Sequence, residues 1–407
     1  MFALFRLPRL TNVHKVAAIT FFSSLYFYSH VGTLYLQERG LTLFQVNSIS
    51  AIIIGTIFLA EVPTGLIADR IGRKWSIVLA MALQVLGEVL YLFSRDYWAF
   101  AGIAAIAGVG FAFSSGAVEA LIYDTLPTDP DDAGARDDAM KQAMGLVGFA
   151  YQQAFFLAPI IGSFLLPVYT LNRFLFVVLL TACGVGVALL VAFTLHEPAK
   201  SYHHVEQSSL QLLREGITQL RANRRLQWLL LIAVFTSTFS MILVGLYQPY
   251  FSQAGIPAFG MGWAFASGAL LAGLGERYVY KVEAWLGPQL GLWLVTILPG
   301  ICYLLFALVT TAPLIFLFFV LTYGCATLKN PLLSAYQNAL IAPQQRATVL
   351  SLLSLCTSFY VAFFSLFIGW LADIDLRYGF ALIGLIIIAM TLLLRVDRVG
   401  SLVRREA

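Results

Sequence analysis

"EVPTGLIADRIGRKWS", Glu61 to Ser76, sets five charged residues (Glu61, Asp69, Arg70, Arg73 and Lys74) within fourteen positions. The chain around it avoids charge. Of its 407 residues, 11% are charged and 60% hydrophobic, against about 25% and about 45–50% in average soluble domains. One or two water-soluble cores cannot hide that much apolar surface, so the bilayer is the expected solvent. A net charge of +4 spread over polar segments points to no nucleic-acid partner. The four cysteines, Cys183, Cys302, Cys325 and Cys356, all lie in apolar stretches without paired spacing and read as small buried hydrophobes.

A membrane span needs about 20 apolar residues. Twelve such segments fall near 15–36, 44–66, 75–94, 97–123, 142–167, 172–195, 227–250, 259–276, 289–310, 313–341, 346–371 and 377–395. The basic start "MFALFRLPRLTNVHK" precedes a full-length apolar run without a cleavage site, so that run is the expected first span and not a removed signal. Lys and Arg mark the inner side of a membrane protein. With the N-terminus inside, the outer loops hold four (Arg39, Arg95, Arg173, Arg377), Lys329 falls within a span, and the other twenty are cytoplasmic. Both ends are therefore expected inside, in a cell inner (plasma) membrane.

The longest polar interval, 196–226, splits the spans six and six. The expected organisation is a six-helix bundle over 1–195, a cytoplasmic loop over 196–226 with an amphipathic helix on the membrane surface (Leu210, Leu213, Ile217 and Leu220 at helical spacing), and a second bundle over 227–407. The halves match at a constant offset of 215: "GLTLF" at Gly40–Phe44 with "GIPAF" at Gly255–Phe259, Gly72 of "ADRIG" with Gly287 of "EAWLG", and Glu119-Ala120 with Ser334-Ala335. Duplicated units of this kind place a site between two rocking halves in many transporters.

In this topology "GLIADRIGRK" is the cytoplasmic turn between the second and third spans. It resembles the signature loop of the major facilitator superfamily, G-x-L-A-D-R-x-G-R-K: Gly65, Ala68, Asp69, Arg70, Gly72, Arg73 and Lys74 match, and Ile67 stands for Leu. With the six-plus-six pattern, the resemblance covers essentially the whole chain. It implies an all-α fold of twelve transmembrane helices in two pseudo-symmetric bundles, and a secondary transporter rather than an enzyme. Within the superfamily, the chain resembles bacterial drug/proton-antiporter-like members. They usually carry an arginine in the fourth span, where "GVGFAFSSGAVEA" has none, and a G-P-x-x-G run in the fifth, where "FLAPIIGS" keeps Pro159 and Gly162 but has Ala158.

The resemblance also implies a conformational latch of Gly65, Asp69, Arg70, Gly72, Arg73 and Lys74, completed by Asp124 at the end of the fourth span. Gly65 and Ala68 form a small-residue stripe, facing Ala347, Ser351, Ser354 and Ser358 of the eleventh span. There Asp69 would meet the N-terminal end near Arg346, where a helix dipole favours a carboxylate. A basic anchor alone would explain the arginines but neither Asp69 nor the spaced glycines.

Charges inside a membrane are costly and point to function. Lys329 of "TLKNPLL" lies beside Pro331, which should break its helix; Glu119, Glu61 and His30 are further intramembrane ionisable candidates. Burial favours the neutral form of a carboxyl, which makes Glu119 or Glu61 a candidate proton carrier; the alternative is a static Glu119–Lys329 pair. By resemblance, the first, fourth, seventh and tenth spans line a cavity. Its aromatic and amide candidates are Tyr26, Tyr28, Tyr151, Gln152, Gln153, Gln248, Tyr323, Tyr336 and Asn338, a lining suited to an amphipathic or aromatic solute. Tyr247 and Tyr250 read as interfacial-belt residues.

"DPDDAGARDD" fails as a calcium loop, because Ala133 and Met140 stand where ligands belong. His196, His203 and His204 lack metal-site spacing, and no nucleotide motif is present. No metal and no cofactor are expected. The expected partners are a small-molecule substrate, a coupling proton and the lipid bilayer, around a monomer. Proton-linked efflux by alternating access leads, with import or uniport as the alternative, and a membrane sensor or membrane-embedded enzyme behind both.

Overall fold

Lipid offers backbone N–H and C=O groups no hydrogen bonds, so a spanning segment satisfies its own by coiling. The computed structural model describes residues 11–126, 133–197, 218, 224–341 and 346–398, and every regular element among them is helical. In chain order these are α1 (Asn12–Ser23), α2 (Gly32–Glu38), α3 (Leu43–Ile71), α4 (Arg73–Phe93), α5 (Tyr97–Thr125), α6 (Ala133–Leu165) and α7 (Leu171–Phe193), then α8 (Arg224–Phe235), α9 (Ser240–Gln253), α10 (Ala258–Leu308), α11 (Ala312–Cys325), α12 (Lys329–Leu340), α13 (Arg346–Ile374) and α14 (Leu376–Leu393). The surface helix expected over 206–226 lies almost wholly outside the described residues, as does the start of the "DPDDAGARDD" loop.

Ten helical segments among the described residues are long and apolar enough to cross a membrane. The number differs from the expected twelve for two physical reasons. The first segment is broken into α1 and α2, each too short alone. Conversely, α10 runs for 51 residues through Gly287, whose φ of 80° is not helical. An added Cβ at Gly291 would stand 2.9 Å from Glu283 Cα, where a straight helix would separate these residues by about 12 Å. The chain doubles back at Gly287.

Four glycines among the described residues have positive φ: Gly40 (84°), Gly72 (100°), Gly255 (74°) and Gly287 (80°). They form two pairs, each 215 residues apart. Only glycine takes such values without strain, so the repeat is carried by backbone turns as well as by letters.

The chain divides into two compact units: residues 1–35 with 52–203, and residues 36–51 with 204–407. In the first unit, Val16, Ile77, Met81, Phe113, Leu121, Val147 and Ala188 form a core drawn from α1, α4, α5, α6 and α7. Close approach is made possible by glycine: a Cβ at Gly108 of α5 would lie 2.9 Å from the Ile53 carbonyl of α3.

In the second unit, Leu229, Ile232, Val295, Leu332 and Leu333 build the core. Gly300 of α10 and Gly384 of α14 let two backbones touch, a Cβ on Gly384 standing 2.7 Å from Gly300 O. Tyr247 and Tyr250 are buried here and are not belt residues. Tyr247 stacks on Phe319 at 4.2 Å and donates to Met261 O at 3.3 Å, and Tyr250 donates to Val309 O at 2.5 Å. A buried phenol needs a hydrogen-bond partner, and here backbone carbonyls supply it.

Unit two also owns the start of α3. Its first turn is a capping box, with Thr42 Oγ1 accepting the Gln45 N–H at 3.2 Å and Gln45 Oε1 accepting the Thr42 N–H at 3.0 Å.

Gly162 of α6 presses on the break between α1 and α2. A Cβ there would overlap the Phe27 carbonyl and stand 2.8 Å from His30 Cε1. Gly162→Ala is expected to destabilise the detergent-solubilised protein by about 1–3 kcal/mol, read as a lowered Tm. Gly145→Ala is the control: an added Cβ there meets nothing within 4 Å, and the Tm should hardly move.

Candidate functional site

Helix starts leave backbone N–H groups without partners, and the motif turn is built around that need. α4 begins at Arg73, and its free N–H groups at Arg73 and Lys74 donate to the two oxygens of Glu197, at 2.8 and 2.7 Å. Gly72 is required twice over. Its φ of 100° excludes side chains, and a Cβ would stand 2.8 Å from Glu197 Oε1. The segment carrying Glu197 is itself pinned to α1. Asn12 Nδ2 donates to His196 O at 2.7 Å, the His196 N–H donates to Asn12 Oδ1 at 3.0 Å, and Lys15 Nζ donates to Thr194 O at 2.5 Å.

Of the expected latch residues, Asp69 and Arg73 come together in an ion pair of 3.0 Å. Asp124, at the end of α5, is half-exposed, and among the described residues Arg73 pairs with Asp69 and not with Asp124. Glu61, Gly65, Asp69 and Arg70 are exposed, and a Cβ on Gly65 meets nothing within 4 Å. Lys74 lies 5.6 Å from the Trp75 ring. Arg346 is the first residue of α13, and its side chain lies outside what is described.

Two interior clusters form where helices break. α1 runs for 12 residues and α8 for 12, about 18 Å each, short of a hydrocarbon core of about 30 Å. In the first unit, the break at residues 24–31 places Tyr28 against Glu88 of α4. The Tyr28 hydroxyl lies 3.0 and 3.1 Å from the two Glu88 oxygens, and its ring stacks on Tyr91 at 5.6 Å and meets Tyr26 edge-on at 5.9 Å. Glu88 is 8% exposed. The Phe27 N–H donates to Thr181 Oγ1 at 3.2 Å, and His30 is fully buried.

In the second unit, α8 ends at Phe235 and α9 resumes at Ser240, with Phe239 between them in a left-handed conformation (φ 50°). Three side chains serve the freed groups. Lys329 Nζ donates to the Thr236 carbonyl and, at 2.6 Å, to Thr236 Oγ1; the Tyr303 hydroxyl donates to Thr238 O at 2.6 Å; and Tyr360 OH lies 3.5 Å from Phe235 O. Lys329 opens α12 after a break at residues 326–328. That break includes Thr327, whose carbonyl the Pro331 ring would otherwise strike.

The remaining candidates disperse. Glu119 is exposed on α5. Tyr151 and Gln152 are exposed on α6, Tyr151 stacking on Phe155 at 5.8 Å, while Gln153 is half-buried. Gln248 is buried and donates to Val244 O at 2.9 Å. Tyr323 fits over Gly268, Tyr336 donates to Glu283, and Asn338 donates to Ser334 Oγ at 3.3 Å. The sequence reading missed Glu88, although it is the only charged residue between Lys74 and Arg95. It also missed Thr236, within the polar cluster "TSTFS", and Glu197, which carries no local signal.

Known proteins match the chain at several levels. The family model of the Major Facilitator Superfamily matches residues 16–328. The uncharacterized MFS-type transporter YxaM of Bacillus subtilis (strain 168) is 23% identical over 269 residues, 63% of this chain. The match spans 63% of the relative's length, less than two thirds of it. Among solved structures, a bacterial homolog of the human lysosomal transporter Spinster, inward-facing and unoccupied, superposes with a TM-score of 0.73 at 15% identity, over 97% of this chain and 96% of that one. The nucleoside transporter NupG gives 0.72 at 12% identity, over 97% and 100%. A POT family transporter in complex with 5-aminolevulinic acid gives 0.70 at 13%, over 94% of each. Identities this low establish a shared fold.

Glu197→Ala removes both acceptors from the start of α4 and is expected to cost about 1–2 kcal/mol, as lost N-terminal caps do. Glu197→Gln should recover part of this. Gly72→Ala should cost more than either, because strain and overlap add. Thermal unfolding of the purified variants gives the order.

Proposed function

Because the chain belongs to the major facilitator superfamily, we propose that it is a proton-linked exporter of small amphipathic or aromatic compounds, working by alternating access across twelve spans of the inner membrane. One observation supports the coupling. Each unit holds a buried ionisable side chain at a helix break, Glu88 at 8% exposure and Lys329 at 3%, and among the described residues neither has an opposite charge within 4 Å.

Taking an ion out of water costs several kcal/mol. Glu88 therefore travels through the closed states with its proton and gives it up where water enters. Tyr28, Tyr26 and Tyr91 are the titratable groups around it. The Tyr28 hydroxyl donates to the carboxylate and turns to accept from the carboxylic acid. In the export direction, a proton taken from outside neutralises Glu88 as solute leaves, and its release inside frees the carboxylate for the next solute. Lys329 keeps the α8–α9 break closed by donating to Thr236, so its charge state decides how firmly that break is held. Glu119, exposed on α5, is the second candidate for the carrier.

The test is transport in proteoliposomes loaded with a pH-sensitive dye and challenged with a panel of aromatic amphiphiles. Glu88→Gln should abolish pH-driven flux, by about a hundredfold or more for a general acid–base group, while solute exchange at equal pH persists. Glu119→Gln should retain coupling. PH-driven flux surviving in Glu88→Gln would remove Glu88 from the mechanism, and protons moving in the same direction as solute would convert the reading to import.

A further inference from the structure

The capping box at Thr42 and Gln45 leaves two N–H groups in the first turn of α3, those of Leu43 and Phe44, without an intrahelical acceptor. Asp373, 330 residues along the chain from Leu43, takes both. Its oxygens accept from Leu43 N–H at 2.6 Å and from Phe44 N–H at 2.9 Å. Gly369, one turn earlier on α13, makes room: a Cβ there would lie 2.8 Å from Asn47 Nδ2, 2.9 Å from Leu43 O and 3.0 Å from Phe44 Cα. Asp375, two residues on, caps α14 instead, accepting the Arg377 N–H at 2.9 Å. The two aspartates of "ADID" therefore serve different helices. α3 itself is shared: residues through Ala51 cluster with the second unit and residues from Ile52 with the first.

We infer that Asp373 is the outer-side latch of the transport cycle, holding the first turn of α3 while the outer mouth is shut and releasing it when that mouth opens. The inference rests on the alternating-access reading above. The contact is suited to release. Asp373 is exposed, so water solvates its carboxylate once it withdraws. The capping box stays with α3, so withdrawal frees two N–H groups without unwinding the helix.

The experiment uses the full chain in nanodiscs, with its four cysteines replaced and one reporter added at a time: Asn47→Cys, buried beside Gly369, or Ser354→Cys, exposed on α13. The probe is a charged maleimide. Asp373→Ala and Asp373→Asn should each speed labelling of Asn47→Cys by at least about fivefold, as loss of charge-assisted hydrogen bonds shifts the population, and slow labelling of Ser354→Cys. General loosening would instead speed both. Labelling of Asn47→Cys within twofold of the parent in both variants, or faster labelling of both reporters in both, would overturn the latch. Gly369→Val separates this from the underlying reading by wedging α3 away. If the wedge moves the reporters in opposite directions and the Asp373 variants do not, only the latch falls. If even the wedge cannot, alternating access falls with it.

Discussion

Inside a bilayer, no backbone amide or carbonyl can be left to water, and an unsatisfied one costs several kcal/mol. Among the described residues, this chain nonetheless interrupts three of its apolar segments, after Ser23, Phe235 and Cys325. At the first two, particular side chains replace missing helical bonds; after Cys325, short backbone turns do so, the Ala326 N–H donating to Tyr323 O and the Leu328 N–H to Cys325 O. Thr181 receives the Phe27 amide, Tyr303 reaches Thr238 O, and Lys329 reaches Thr236. The polar residues of the interior are first of all the partners of broken backbone.

That necessity also makes the interior chemically capable. A lysine recruited to satisfy a carbonyl brings a charge with it, and the break in the first span brings Tyr28 onto the Glu88 carboxyl. Broken helices at membrane depth are where transporters gather ions and solutes. Glu88 and Lys329 stand at such positions in separate units, one bonded to the Tyr28 hydroxyl and the other to that of Thr236, and this is where the proposed coupling of proton to solute resides.

At the helix ends the same bookkeeping is done with carboxylates. Asp96 caps α5, Asp375 caps α14, Glu197 caps α4 and Asp373 caps α3. The first two are local and fixed. The other two come from distant parts of the chain, and a long-range cap can be withdrawn without altering the helix it serves. The charges of Asp69–Lys74 do not cap the helix ends at this turn: Asp69 and Arg73 pair with one another, and the start of α4 takes its carboxylate from Glu197.

Much of this was legible in the letters. Apolar runs of about 20 residues are dictated by bilayer thickness, so the membrane-spanning character was legible in composition, and the all-helical class in the resemblance carried by "GLIADRIGRK". The pairs Gly40–Gly255 and Gly72–Gly287 could be matched because a positive φ admits little besides glycine, and Pro331 announced the break before Lys329. What only the tertiary structure decided were the partnerships of residues far apart in sequence. Nothing near Tyr28 shows that Gly162 presses on its break, nothing in "HEPAK" shows Glu197 seated on Gly72, and nothing near Asp373 points to Leu43. Periodicity reports which groups must leave water. Which acceptor then meets an orphaned N–H depends on helix packing, and that is fixed by the side chains of other helices.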